Sequence, residues 1–126
     1  MAKEIISTSK APGAVGPYCQ GVKANGFIFV SGQLPVDPAT GEMIKGSIGE
    51  KTARILDNIK AILEAGGSSM DKCVKLTVFL TDMHKFAEMN EVYKTYFANS
   101  LAARYTIQVA ALPRFEEIEI EAIALA

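Results

Sequence analysis

Ser47-Ile48-Gly49-Glu50-Lys51-Thr52-Ala53-Arg54-Ile55-Leu56-Asp57-Asn58-Ile59-Lys60-Ala61-Ile62-Leu63-Glu64-Ala65-Gly66-Gly67, followed shortly by Cys73-Val74-Lys75-Leu76-Thr77-Val78-Phe79-Leu80, decides the fold class. Ser47 and Glu50 form a capping box, in which hydroxyl and carboxylate each satisfy one orphan amide at a helix start. Behind it Ile48, Thr52, Ile55, Leu56, Ile59, Ile62 and Leu63 recur at helical spacing, with Lys51, Arg54, Lys60 and Glu64 mainly on the other side. Gly66-Gly67 stops the helix. The period then changes. Val74, Leu76, Val78 and Leu80 alternate with Cys73, Lys75, Thr77 and Phe79, which is a strand. An amphipathic helix feeding an alternating strand predicts helices layered on a sheet.

Towards the N-terminus, Lys3 to Ser7 reads as a short first strand. Lys10 to Tyr18 is a loop, because Pro12, Gly13, Gly16 and Pro17 forbid a regular element. Residues 21–24 and 27–32 flank Asn25-Gly26, the pair that supplies both positive-φ positions of a type I′ turn, so they predict a hairpin. Asp37 to Gly41 is a further turn. Towards the C-terminus, Thr81-Asp82 opens a second helix with Phe86, Met89, Tyr93, Tyr96 and Phe97 on its apolar face. Two strands follow, Arg104 to Val109 and Glu116 to Leu125, joined around Leu112-Pro113-Arg114. The order is β, β, β, α, β, α, β, β. Strands joined through helices predict parallel crossovers, and directly joined strands predict hairpins. The expected fold class is α+β: a mixed sheet packed against two helices, in a single domain over residues 1–126.

Composition narrows the function classes. Lys+Arg is 13 and Asp+Glu 14, a net charge of −1, which argues against a domain built to hold nucleic acid or an anionic membrane. With 49% hydrophobic and 21% charged residues the chain is not disordered. One histidine and two isolated cysteines cannot build a Cys/His zinc site. The N-terminus has no apolar signal region and no run is long enough to span a membrane, so a cytoplasmic, reducing setting is expected.

The last two strands carry the candidate chemistry. Tyr105, Ile107 and Val109 alternate with Arg104, Thr106 and Gln108; Ile118, Ile120, Ala122 and Ala124 alternate with Glu117, Glu119 and Glu121. If these strands form a hairpin and their apolar sets share the helix-packed face, Arg104, Thr106, Gln108 and the glutamates share the opposite one. Pairing Thr106 with Glu119 sets Arg104 opposite Glu121 and diagonal to Glu119. Phe79, Ile123, Leu125 and, with Ser31, Phe27 and Phe29 join that second face. A face mixing aromatics and charges suits a subunit interface that also holds a polar site. An arginine there can grip a carboxylate with two parallel hydrogen bonds, and a glutamate can orient or deprotonate water. The spacing alone favours a plainer account, an ordinary cross-strand charge ladder. The Gly13–Gly21 loop lacks the Lys-Ser/Thr of a phosphate loop. Ser31 has no nearby histidine to activate it, and Cys19 and Cys73 read as inert thiols.

Gly16-Pro17-Tyr18-Cys19-Gln20-Gly21, Val30-Ser31-Gly32-Gln33, the Arg104 strand and Ile118-Glu119-Ile120-Glu121-Ala122 together resemble the RidA (YjgF-type) reactive intermediate deaminases over nearly the whole chain. The resemblance implies a chorismate-mutase-like fold, a homotrimer with active sites between subunits, and no cofactor or metal. It implies hydrolysis of 2-imino acids such as 2-iminobutanoate and 2-iminopropanoate to 2-oxo acids and ammonia. Carried over by residue, Arg104 matches the arginine that binds the substrate carboxylate, and Glu119 the glutamate that handles the attacking water. Tyr18 and Ser31 match residues that line the pocket, Gly32 lies beside Ser31 where a backbone amide can help, and Asn90 resembles a further pocket-side position, a helix-surface amide being its alternative; Thr106 is placed with the substrate-binding residues. Ala102, Tyr105 and Thr106 stand where the family often has Pro, Ser and Cys, which bears on substrate preference. Two other readings stay open: a non-catalytic ligand-binding or chaperone-like trimer, and an RNA-cleaving translation inhibitor, which the net charge and the lack of a histidine pair disfavour.

Overall fold

The computed structural model describes residues 2–126. Six strands form one sheet: β1 (Glu4–Ile6), β2 (Gly21–Ala24), β3 (Phe27–Gln33), β4 (Cys73–Leu80), β5 (Ala103–Gln108) and β6 (Ile118–Leu125), in the order β1-β2-β3-β6-β4-β5. Helices α1 (Ile48–Ala65) and α2 (Phe86–Phe97) cover one face. The element order, the mixed sheet and the two helices are those expected from the sequence.

Local chemistry accounts for the element ends. Ser47 and Glu50 make both bonds of the capping box. At the other end of α1 the Ser68 amide donates to the Leu63 carbonyl and the Gly67 amide to Glu64, with Gly67 left-handed at φ +84, a Schellman motif. Asn25 and Gly26 take φ +52 and +83 in the β2–β3 turn. The second helix starts later than expected: Asp82 caps a short 3-10 turn at Met83–Lys85, and α2 begins at Phe86.

The core lies between α1, α2 and the inner sheet face, where Ile28, Ile55, Leu56, Ile59, Leu76, Leu80, Met89, Ile118 and Ile120 are all fully buried. Within β4 the alternation breaks at its start. Cys73 pairs with Ala124 and Lys75 with Ile123, so Val74 is an extra residue in a bulge that turns it outward and buries Cys73.

The last two strands are not a hairpin, contrary to the expectation. β6 inserts antiparallel between β3 and β4, while β5 pairs in parallel with the outer edge of β4. The physical reason is burial. The inner residues of β6, Ile118, Ile120, Ala122 and Ala124, are at most 2% exposed and need both neighbours, whereas no residue of β5 is fully buried, as suits an edge. The faces of β5 invert as a result. Arg104, Thr106 and Gln108 pair with Leu76, Val78 and Leu80, so they face the helices. Tyr105 and Ile107 share the open face with Thr77, Phe79, Glu119 and Glu121. The placement of Arg104 beside Glu119 on one face, and of Tyr105 towards the helices, is therefore corrected.

The open face does carry the expected mixture. Phe27, Phe29 and Leu125 are partly exposed, and Tyr105 is 60% exposed. No helix of the described residues is long and apolar enough to cross a membrane.

Candidate active site

Tyr18, Ser31, Gly32 and Glu119 come together in one cleft of about 1070 Å³. Its floor is the point where β3 and β6 slip register. Val30 pairs with Ala122 and Gln33 with Ile120, leaving Ser31-Gly32 as a bulge. The Ser31 hydroxyl donates to the Cys19 carbonyl at 2.7 Å, and its amide to the Gln20 carbonyl at 3.0 Å. Gly32 lies under the Glu119 carboxylate. A Cβ at residue 32 would sit 2.8 Å from Glu119 Oε2 and 2.9 Å from its carboxyl carbon, so only glycine lets the carboxylate rest there.

Three walls enclose this floor, each tied down by a specific contact. Buried Gln20 holds the loop of residues 12–18: its side-chain amide donates to the Ala11 and Pro12 carbonyls at 3.2 and 2.7 Å. Within that loop Gly16, at φ +123, allows the Tyr18 amide to reach back to the Gly16 carbonyl at 2.9 Å, while the Tyr18 hydroxyl accepts from the Val15 amide at 3.3 Å. Buried Asn58 of α1 donates to the Val36 carbonyl at 2.9 Å and holds the second wall, residues 34–43. The third wall, Pro113-Arg114, belongs to the β5–β6 connection. Lys51 donates to Glu116 at 2.7 Å and to Glu117 at 2.8 Å, and Lys85 also pairs with Glu117. Between buried Leu112 and these ion pairs, Arg114 and Phe115 both take the left-handed conformation at φ +56.

Most polar groups around the cleft are engaged in these contacts; Glu119 is not. Among the described residues no group donates a hydrogen bond to its carboxylate. Burial, and secondarily the charge of Glu121, raises its pKa above the ordinary carboxylate value.

Arg104 and Asn90 meet on the other face, with Thr106 beside them in β5. Arg104 Nη1 donates to Asn90 Oδ1 at 2.7 Å, so Asn90 is not a plain surface amide. The guanidinium carbon lies 4.6 Å from the centroid of the Tyr93 ring and 5.4 Å from that of Phe86. Burial pushes the Tyr93 phenol up to about 12, so this ring stays neutral under the cation. Among the described residues no carboxylate forms an ion pair with Arg104. It opens onto a shallow hollow of about 290 Å³ with Lys94, Leu101 and Ala102. The Thr106 hydroxyl is buried without a hydrogen-bond partner among the described residues.

The sequence-predicted site thus falls into two parts on opposite sheet faces: a cleft with Glu119, Tyr18, Ser31 and Gly32, and a cation with Asn90 and Thr106. Arg114, which lines the cleft with Glu119, was missed. Pro113-Arg114 reads as a turn, and no glycine signals the left-handed backbone that directs it.

The family described as Endoribonuclease L-PSP matches residues 8–126. A RutC family protein of Pyrococcus abyssi is 55% identical over 98% of both chains. The 2-iminobutanoate/2-iminopropanoate deaminase of Mus musculus is 48% identical over 98% of this chain and 91% of its own. The crystal structure of a putative endoribonuclease from Thermotoga maritima superposes with a TM-score of 0.96 at 54% identity, covering 98% of this chain and 97% of that one. With matches of this extent to relatives and solved structures, the YjgF product of E. coli among them, the chain belongs to the RidA/YjgF family.

Proposed function

We propose that this protein hydrolyses reactive 2-imino acids, such as 2-iminobutanoate and 2-iminopropanoate, to 2-oxo acids and ammonia, in a site completed by two copies of the chain. The observation that carries this reading is a pair of unengaged, opposite charges. Among the described residues, Arg104 is a guanidinium pre-oriented by Asn90 over two rings and free of carboxylates, and Glu119 is a half-buried carboxylate without a donor. On one chain they occupy opposite sheet faces, so one small molecule reaches both only between copies. β5 is the outer strand, so its free edge can border the cleft of a neighbour. The apolar open face around Phe27, Phe29 and Leu125 also calls for cover. A homotrimer is the assembly proposed. The 48% identity to the mouse protein named as a deaminase supports the chemistry.

In the proposed mechanism the substrate carboxylate docks on Arg104 by two parallel hydrogen bonds. Glu119 of the neighbouring copy accepts a proton from water as its oxygen adds to the imine carbon. The resulting carbinolamine takes that proton on nitrogen; as the C–N bond breaks and ammonia leaves, the freed Glu119 carboxylate accepts the hydroxyl proton, leaving the C=O of the 2-oxo acid, and that proton passes to the departing ammonia as ammonium. Tyr18, Ser31, Gly32 and Thr106 shape the pocket. A protonated imine is already electrophilic, so positioning and proton transfer supply the required acceleration.

The test couples a threonine dehydratase to the protein and follows 2-oxobutanoate. Acceleration above the uncatalysed rate is expected, and Arg104→Lys, which keeps the charge but loses the planar fork, should remove nearly all of it. Release at the uncatalysed rate, with 2-oxo acid bound but its formation not accelerated, makes the protein a binder instead. Sedimentation should give a mass of three chains; a monomer removes the basis for the shared site.

A further inference from the structure

The cleft holds a second group that the proposed hydrolysis does not use. Arg114 is exposed, lines the cleft that contains Glu119, and forms no ion pair or side-chain hydrogen bond among the described residues. Its position is not casual. Two consecutive left-handed residues without glycine are a strained backbone, and here buried Leu112 on one side and the Lys51 and Lys85 ion pairs on the other hold them in place. Arg114 does not serve to neutralise Glu119. No ion pair joins the two, and burial followed by the Glu121 charge raises the Glu119 carboxyl from its ordinary value, whereas an adjacent guanidinium acts to lower it.

The rest of the cleft indicates what such a cation meets. Apart from Glu119, the other polar side chains there are tied internally: Tyr18 to the Val15 amide, Gln20 to the 8–12 backbone, Ser31 to Cys19, Gln33 to Ser31. Val15, Leu34, Val36 and Met43 leave the remaining wall apolar. At about 1070 Å³ the cleft lies just above the range of about 300–1,000 Å³ that suits drug-sized ligands, far beyond a four-carbon acid. Arg104 of the neighbouring copy takes the carboxylate next to the imine, so a second guanidinium is available to the far end of the substrate.

Resting on the deaminase reading above, we infer that Arg114 is a specificity determinant that selects 2-imino acids bearing a second carboxylate on the side chain. The acidic side chain crosses the apolar wall and meets Arg114, which offsets its repulsion by Glu119.

Flavin-dependent amino-acid oxidases can generate the imines of glutamate and of alanine in situ, with semicarbazide trapping whatever imine survives. The fall in semicarbazone with added protein gives kcat/KM for each. The wild type should hydrolyse the glutamate imine at least as well as the alanine imine. Arg114→Gln should lower the ratio of the two kcat/KM values by about ten- to a hundredfold, the scale of one charge-assisted pair, and Arg114→Lys should keep part of it. Arg114 is exposed, so these variants are expected to fold. A wild type that ignores the glutamate imine while hydrolysing the alanine imine overturns this inference alone, as does a ratio unchanged in Arg114→Gln. No effect on either imine overturns the deaminase reading and this inference together.

Discussion

Gly32→Ala is the substitution whose effect the structure specifies most closely. The added methyl carbon would stand 2.8 Å from Glu119 Oε2, 2.9 Å from its carboxyl carbon and 3.3 Å from Cγ. Ordinary non-bonded contact begins at about 3.5 Å, so the carboxylate has to retreat by about 0.7 Å. Gly32 has no positive φ, so the alanine backbone itself is unstrained. Crowding costs about 1–3 kcal/mol, and the lower entropy of the unfolded chain returns about 0.4–1 kcal/mol. The net loss of about 1–2 kcal/mol leaves the protein folded, with the melting temperature lower by a few degrees. Catalysis should suffer far more. Displacing a proton-transfer group by about 1 Å costs on the order of 10²-fold, so kcat/KM in the threonine dehydratase coupled assay should fall by that factor. Because the effect acts through Glu119, Gly32→Ala added to Glu119→Gln should change little further. Wild-type turnover by a folded Gly32→Ala protein would refute the role assigned to Glu119.

Further outcomes are expected for three variants. Glu119→Gln should reduce turnover by about 10²-fold or more. Because the folded-state pKa of Glu119 is raised by burial and then by Glu121, its ionisation opposes folding above the ordinary carboxylate value. The same variant should therefore melt higher than wild type at neutral pH and lose that advantage below pH 4.5, which paired thermal scans would check. Glu121→Gln removes the like charge, so the acid limb of kcat/KM should move to lower pH; an unmoved limb would mean that burial alone sets it. Lys51→Met leaves Glu116 buried and unpaired and frees one end of the Arg114 wall, for a loss of about 3 kcal/mol by chemical denaturation, and a loss under about 0.5 kcal/mol would contradict the anchoring role.

What could be read from the chain alone was whatever neighbours in sequence determine. The Ser47–Glu50 capping box, the Gly67 stop, the Asn25-Gly26 turn and the buried stripe from Ile48 to Leu63 each depend on contacts within a few residues, and each is present. The cleft residues Tyr18, Ser31, Gly32 and Glu119 were also named from sequence, through motif resemblance. Which face Arg104 takes was not legible, because β5 exposes both of its faces and its alternation does not specify a side. That side depends on β6 inserting between β3 and β4 and leaving β5 to pair in parallel on the outer edge of β4; the β3–β6 contact joins strands about ninety residues apart, which local periodicity does not encode. The same non-local choice inverted Tyr105, split the candidate site between two sheet faces, and brought Arg114 to the wall beside Glu119. A pattern of alternating residues determines that a strand has two faces. Only the packing of the whole sheet, which must bury Ile118, Ile120, Ala122 and Ala124 under α1, decides which face meets the helices.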